Sequence, residues 1–279
     1  MDEQHGERAL PLCAVGVGVA ALMIRSEQLC ALLVQRREEP FKGDWALPEG
    51  FAQRGSGRPA EGLDGAAERV FRVETGIDLK AAYVAQIGAY GDPGRDPRGD
   101  VVTVAYLAVA PVTPQLKPRP RPVDNVRVSR FIPVDVALEA GSALAFDHGR
   151  ILADAVQRTL ALVESTALAV AFCKEWFTIP YLRRVYEILW DLPSGTLDAG
   201  NFHHRIMKLS GLVEPVSEEE LEARASEDRT IERRLGMMAT LGEAETGRGR
   251  PPRWFKRGPL IREGGPAAPL ERPFVRPRA

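Results

Sequence analysis

Trp45-Ala46-Leu47-Pro48-Glu49-Gly50-Phe51, followed after a glycine-rich loop by residues 61–75 and the closing pair Gly76-Ile77, is the stretch that decides the fold. Residues 61–75 read as a helix, and Gly76 supplies the residue that most readily adopts a left-handed C-cap. Upstream, residues 14–24 and 29–35 are Val-, Leu- and Ala-rich runs split by the polar Arg25-Ser26-Glu27-Gln28. That is the pattern of a hairpin of buried strands. Downstream, strand character returns at residues 82–89 and 101–110, bracketing a loop from Tyr90 to Gly99 that glycine and proline hold out of regular structure. Residues 111–122 form a proline-rich basic connector, residues 126–133 another strand, and residues 148–162 a long helix. Strands mixed with few helices in this order predict a compact α+β domain with a mixed sheet.

Laid over residues 55–77, the stretch resembles the Nudix signature G-x5-E-x7-R-E-U-x-E-E-x-G-U, where U is a bulky aliphatic residue. Gly55, Glu61, Arg69, Glu74, Gly76 and Ile77 fall in register, and the lead-in resembles the family's W-x-L-P-G-G-F with glutamate at position 49 in place of the usual glycine. Counted from Gly50 instead, ten residues rather than five precede Glu61, a five-residue insertion. In the family the signature sets three carboxylates on one helix face, at i, i+3 and i+4, to hold Mg²⁺ against a diphosphate. Here those positions read Val70, Val73 and Glu74. Valine offers a hard cation nothing, and Glu68, two positions before Val70, points roughly 160° away from it on the helix. No catalytic residue, metal ligand set or cofactor is therefore assigned. Glu74 reads equally as a partner for a neighbouring arginine, and Arg69 as a brace for the loop.

Loss of the metal cluster leaves a cleft that can still bind, because binding and chemistry rest on different residues. Arg36 and Arg37 end a strand, Trp45 precedes the box, and Arg95-Asp96-Pro97-Arg98-Gly99 lies on the opposing loop. This last motif resembles the R-D-P-R-G of Nudix proteins that handle ADP-ribose. Guanidinium forks suit phosphate oxygens, and an indole face suits adenine. The plainer readings are a solvated strand end for Arg36 or Arg37, core packing for Trp45, and a self-stabilised turn for Arg95 and Asp96. Ligand-binding residues are thus expected at Arg36, Arg37, Trp45, Arg95, Asp96 and Arg98.

From residue 166 the texture turns helical. Residues 166–176, 179–190 and 199–209 read as three short helices, with Thr178 and Asp198 as N-caps, the core of a helix-turn-helix. In the third, Phe202, Ile206 and Leu209 share one face, which leaves Asn201, His204, Arg205 and Lys208 on the other and His203 at its edge. In a major groove Arg205 would fork to guanine and Lys208 would neutralise phosphate, while a flank histidine such as His203 is more often partly packed. Residues 212–215 and 252–256 pair as a wing, with Arg248 and Arg250 at its basic approach. Residues 217–247 exceed what a wing needs and read as a dimerisation helix or a solvated flap.

In this order the degenerate box, Arg95 to Gly99, the run from Phe177 to Glu187, Asn201-Phe202-His203-His204-Arg205 and Gly249-Arg250-Pro251-Pro252 resemble the NrtR family of Nudix-related transcriptional regulators, over residues 10–257. The resemblance implies double-stranded DNA and a nucleotide effector such as ADP-ribose as partners, with a homodimer expected. Rival readings are an active hydrolase of a nucleoside diphosphate derivative and a pseudoenzyme that binds another protein.

The bulk numbers agree with two units. At 279 residues the chain is long for one core, and the expected division is 1–165, 166–258 and a disordered basic tail at 259–279. The net charge of −1 conceals a basic C-terminal stretch and an acidic patch near Glu218 to Glu222. Cys13, Cys30 and Cys173 match neither a disulfide framework nor a zinc signature, and the apolar run 13–24 is too short to span a bilayer. The sequence reads as a cytoplasmic protein with no membrane partner.

Overall fold

The computed structural model describes residues 12–53, 60–79, 83–111, 125–139, 144–227, 253–271 and 273–277. The first unit is built on a seven-stranded mixed sheet. β1 (Ala14–Arg25) and β2 (Gln28–Arg36) form the expected hairpin, whose two-residue turn, Ser26 and Glu27, takes positive φ of 48° and 59°. Such a turn matches the right-handed twist of the paired strands. β3 (Trp45–Ala46) pairs with β2, β4 (Glu49–Phe51) with β1, and β7 (Val126–Pro133) with β2, all antiparallel. β5 (Tyr83–Tyr90) lies at the sheet edge against β6 (Val101–Val109), which runs parallel to β1. β1 and β2 are nearly continuous buried runs because both sheet faces are covered.

On one face packs α1 (Leu63–Thr75), through Ala66, Ala67, Val70 and Phe71. It ends as expected at Gly76, with φ of 74° and its N–H bonded back to the Arg72 carbonyl. On the other lie α2 (Val134–Leu138) and α3 (His148–Ser165), the latter burying Ile151, Leu152, Ala155 and Val163.

Beyond α3 the structure departs from the expected helix over 166–176. Residues Ala167–Phe172 form a 3₁₀ turn, and β8 (Trp176–Phe177) follows. All six residues of that turn are buried, so the run carries no amphipathic period from which helix could be told apart. α4 (Ile179–Leu189) and α5 (Ala199–Lys208) begin at Thr178 and Asp198, whose side chains accept the N–H of Tyr181 and Asn201 at 3.2 and 2.7 Å. β9 (Val213–Pro215) and β10 (Phe255–Arg257) pair as the wing, with β8 on the other side of β10. α6 (Glu218–Glu227) opens the insertion with a reciprocal Ser217–Glu220 capping box, and Glu220 also takes the Lys256 ammonium.

The expected disordered tail is also corrected. α7 (Pro259–Gly264) follows the wing, and Ala268, Leu270 and Phe274 are buried. Ala167 N–H donates to Ala268, Leu270 N–H to Ser165, and Phe274 N–H to Glu164, so the chain end zips along the close of α3. Leu270 and Phe274 give it the apolar anchors that its glycine, proline and arginine content obscures. One apolar cluster runs without a break from the sheet through α3 to α4, α5 and the tail. Among the described residues no helix is long and apolar enough to cross a membrane.

Candidate functional site

The loop after β5, the end of β2, β4 and the start of α3 converge on one cluster of charged and aromatic side chains. Arg95 is nearly enclosed, its side chain 3% exposed, and forks onto Asp147 with bonds of 2.9 and 2.5 Å while Nη1 reaches the Thr103 hydroxyl at 2.9 Å. Arg98 forks onto Asp96, whose side chain is fully buried, and lies over the rings of Phe51 and Phe146. Asp96 thus serves as the anchor of its own loop. Arg36 is buried, donates Nε to the Pro40 carbonyl at 2.7 Å, and also stands over the Phe146 ring. Its Nη2 is enclosed with no hydrogen-bond partner among the described residues. Arg37 is exposed just past β2, and Trp45 is half-buried against the core. The structure therefore brings Arg36, Arg95, Asp96 and Arg98 together, while Trp45 packs half-buried against the core.

Sequence reasoning missed Asp147, His148 and Phe146, and noted Glu49 only as a departure from glycine. His148 Nδ1 receives the Leu47 amide at 3.0 Å. An amide only donates, so Nδ1 is unprotonated and the ring proton lies on Nε2, which donates to Glu49 Oε2 at 2.8 Å. Burial alone would raise the Glu49 carboxyl, yet His148 and the guanidiniums of Arg95 and Arg98 outweigh it and hold the group below the ordinary carboxylate range.

The Nudix helix does not fit a metal. Val70 is buried against Gly50, where an added Cβ would meet Val70 Cγ2 at 2.9 Å. Glu74 Oε2 accepts the Glu49 amide at 3.0 Å, and Glu61 is taken by the Arg69 fork and the Gln53 amide. Arg69 also donates to the Phe51 carbonyl, so the pair braces the loop. Among the described residues no group of three or more His, Cys, Asp or Glu stands where it could hold a metal ion. Gly55 lies outside the described residues.

In the C-terminal unit, α5 buries Phe202 and Ile206, with Leu209 buried at its C-cap, and exposes Asn201, His203, His204 and Lys208 together with Met207. The turn before it is fixed by the buried Glu187, which accepts the amides of Gly195 and Leu197 at 3.1 Å each. Arg205 differs from expectation. Its guanidinium donates to the Pro273 carbonyl and lies over the Phe274 ring, so it is committed to the chain end instead of standing free on the face. Arg248 and Arg250 lie outside the described residues.

Residues 14–155 match the NUDIX domain family. An "ADPR responsive transcriptional repressor NtrR" of Acinetobacter baylyi is 30% identical over 218 residues, spanning 78% of this chain and 81% of the relative. An "ADP-ribose pyrophosphatase" of Methanocaldococcus jannaschii is 32% identical over 123 residues, 44% of this chain and 63% of the relative. The fold is also that of Shewanella oneidensis NrtR in complex with a 27mer DNA, with a TM-score of 0.65, 24% identity, and coverage of 94% of this chain and 99% of that one. The chain belongs to the Nudix family and, within it, to the NrtR-type Nudix-related transcriptional regulators.

Proposed function

We propose that the protein is a transcriptional regulator without hydrolase activity, which binds double-stranded DNA as a homodimer through α5 and the wing and senses ADP-ribose or a related nucleotide in its Nudix pocket. The observation that carries this reading is the pairing, in one chain, of a Nudix helix with Val70 and Val73 at the carboxylate positions and a winged helix whose α5 exposes Asn201, His204 and Lys208. The first removes the site for Mg²⁺ while Arg36, Arg95 and Arg98 still stand together around Glu49. The second is a short polar and cationic face suited to a major groove. The Acinetobacter relative, described as ADPR-responsive and a transcriptional repressor, supports the same division of labour.

Such a regulator links the two sites by differential affinity: a nucleotide that binds the DNA-free form more tightly releases DNA, and the reverse holds for an activator. α3 supplies the physical connection, since it starts at the pocket with His148 and ends at Ser165, where the chain end is bonded. Mobility shifts of the chain's own upstream region, with and without ADP-ribose, test the reading. A shifted band whose midpoint moves with nucleotide supports it, and no binding at low salt overturns it. In parallel, ADP-ribose with Mg²⁺ or Mn²⁺ should give background turnover; a metal-dependent rate abolished by Glu74→Gln would make the chain a hydrolase.

A further inference from the structure

The positive charges of the site are more than offset before any ligand enters. Around Arg36, Arg95 and Arg98 stand four carboxylates: Glu49, Glu74, Asp96 and Asp147. Asp147 and Asp96 belong to the forks of Arg95 and Arg98. Glu49 is placed differently. Its Oε2 lies 3.9 Å from Arg95 Nη2 and its Oε1 3.9 Å from Arg98 Nη2, so one carboxylate stands between two guanidiniums at ion-pair range and hydrogen-bonds neither. It is fixed there by His148 at 2.8 Å and by its own amide on Glu74, with its side chain only 7% exposed. Close by, Arg36 keeps an enclosed Nη2 without a hydrogen-bond partner among the described residues.

A phosphate bridging these arginines would want the place Glu49 holds, and like charges at such range in a partly enclosed site repel strongly. The repulsion grows with each charge the ligand adds. A diphosphate esterified at both ends carries two charges, whereas a terminal diphosphate, a triphosphate or pyrophosphate carries three or more. We propose that Glu49 is a specificity-determining residue of the nucleotide pocket, a resident carboxylate between Arg95 and Arg98 that admits doubly esterified diphosphates and turns away ligands with a terminal phosphate. This rests on the reading of the pocket as a nucleotide site.

Calorimetry on the full chain tests it with three probes: ADP-ribose, ADP and inorganic pyrophosphate. Glu49→Gln keeps an oxygen for the His148 N–H and removes the charge; Glu49→Ala is the second variant, and thermal melts establish that each is folded. Both variants should gain at least about tenfold in affinity for ADP and pyrophosphate, with a smaller gain for ADP-ribose, so that discrimination narrows. Unchanged or weakened binding of ADP and pyrophosphate by folded variants overturns the proposal, whatever ADP-ribose does. If the unmodified chain binds ADP-ribose in that case, the nucleotide-site reading survives alone. If the variants bind the probes and the unmodified chain binds none, Glu49 excludes phosphate ligands without discriminating among them, and both its specificity role and the reading of the native pocket as an ADP-ribose sensor fall.

Discussion

The guanidinium carbon of Arg205, on the helix expected to enter DNA, lies 4.1 Å from the ring centre of Phe274, only a few residues from the chain end. Phe274 also touches Tyr186 and Phe202, with ring centres 4.7 and 5.6 Å away, and its amide is bonded to Glu164 at the close of α3. The Phe274 ring thus joins α4 to α5 while its backbone ties both to the close of α3. Phe274→Ala should cost about 3–5 kcal/mol of stability, the usual penalty for removing a buried phenyl group. Chemical denaturation of the variant checks this, and a loss under about 1 kcal/mol would mean the chain end is not docked in solution.

Arg205 is held on Pro273 and Phe274, and we predict that it serves DNA binding by positioning α5 and not by reading a base. Arg205→Ala should weaken all DNA sequences alike. His204 is exposed on the same helix, and His204→Ala should change base preference by about 1–3 kcal/mol at one position of each half-site. Competition binding against a panel of single-base operator variants separates the two. A base-specific loss for Arg205→Ala would restore it as a reader.

These two residues also show what could be read from the chain alone. The hairpin, α1, α3, α4 and α5 lie within three residues of expectation: the helices each have a clear apolar period, the hairpin has two apolar runs split by a polar turn, and α1, α4 and α5 also have a recognisable cap. Ala167–Phe172 was misjudged because a fully apolar run has no period, and the chain end because two apolar anchors are outweighed by its composition. In the pocket, a family motif made Arg95, Asp96 and Arg98 visible. The Glu49–His148 contact joins residues 99 apart in sequence, and no local pattern announces such a pair. Arg36 reads from the sequence as a ligand-binding candidate at a strand end, and its enclosed nitrogen, without a hydrogen-bond partner among the described residues, is a tertiary fact.

The pocket's carboxylates make stability depend on acid. Burial would raise Glu49, Asp96 and Asp147, but His148 with Arg95 and Arg98, the Arg98 fork, and the Arg95 fork respectively hold them below their ordinary values. The folded chain then binds fewer protons than the unfolded one, so this stabilisation is present above about pH 4 and fades as pH falls through the folded-state values. The melting temperature should hold between neutral pH and about pH 5 and drop steeply below about pH 4. Asp147→Asn should lower stability at neutral pH and flatten that drop. A melting temperature of the unmodified chain that stays level down to pH 3 would contradict the assignment.

DNA binding should require two copies of the chain and should weaken steeply with salt. α5 is ten residues long and exposes Asn201, His203, His204 and Lys208, too few contacts for a tight site by themselves. Two such helices related by a two-fold axis would meet major grooves on one side of the duplex, so the preferred site is an imperfect inverted repeat with half-sites about one or two helical turns apart. Lys208 lies in the last turn of α5, where an exposed ammonium can reach a phosphate and release its counterion on docking. Lys208→Ala should therefore weaken every sequence alike and reduce the slope of log affinity against log salt by about two for the dimer, one for each copy. Fluorescence anisotropy across a salt series, with stoichiometry from sedimentation, measures both. One chain per inverted repeat, or a slope unmoved by Lys208→Ala, would rule out this docking arrangement.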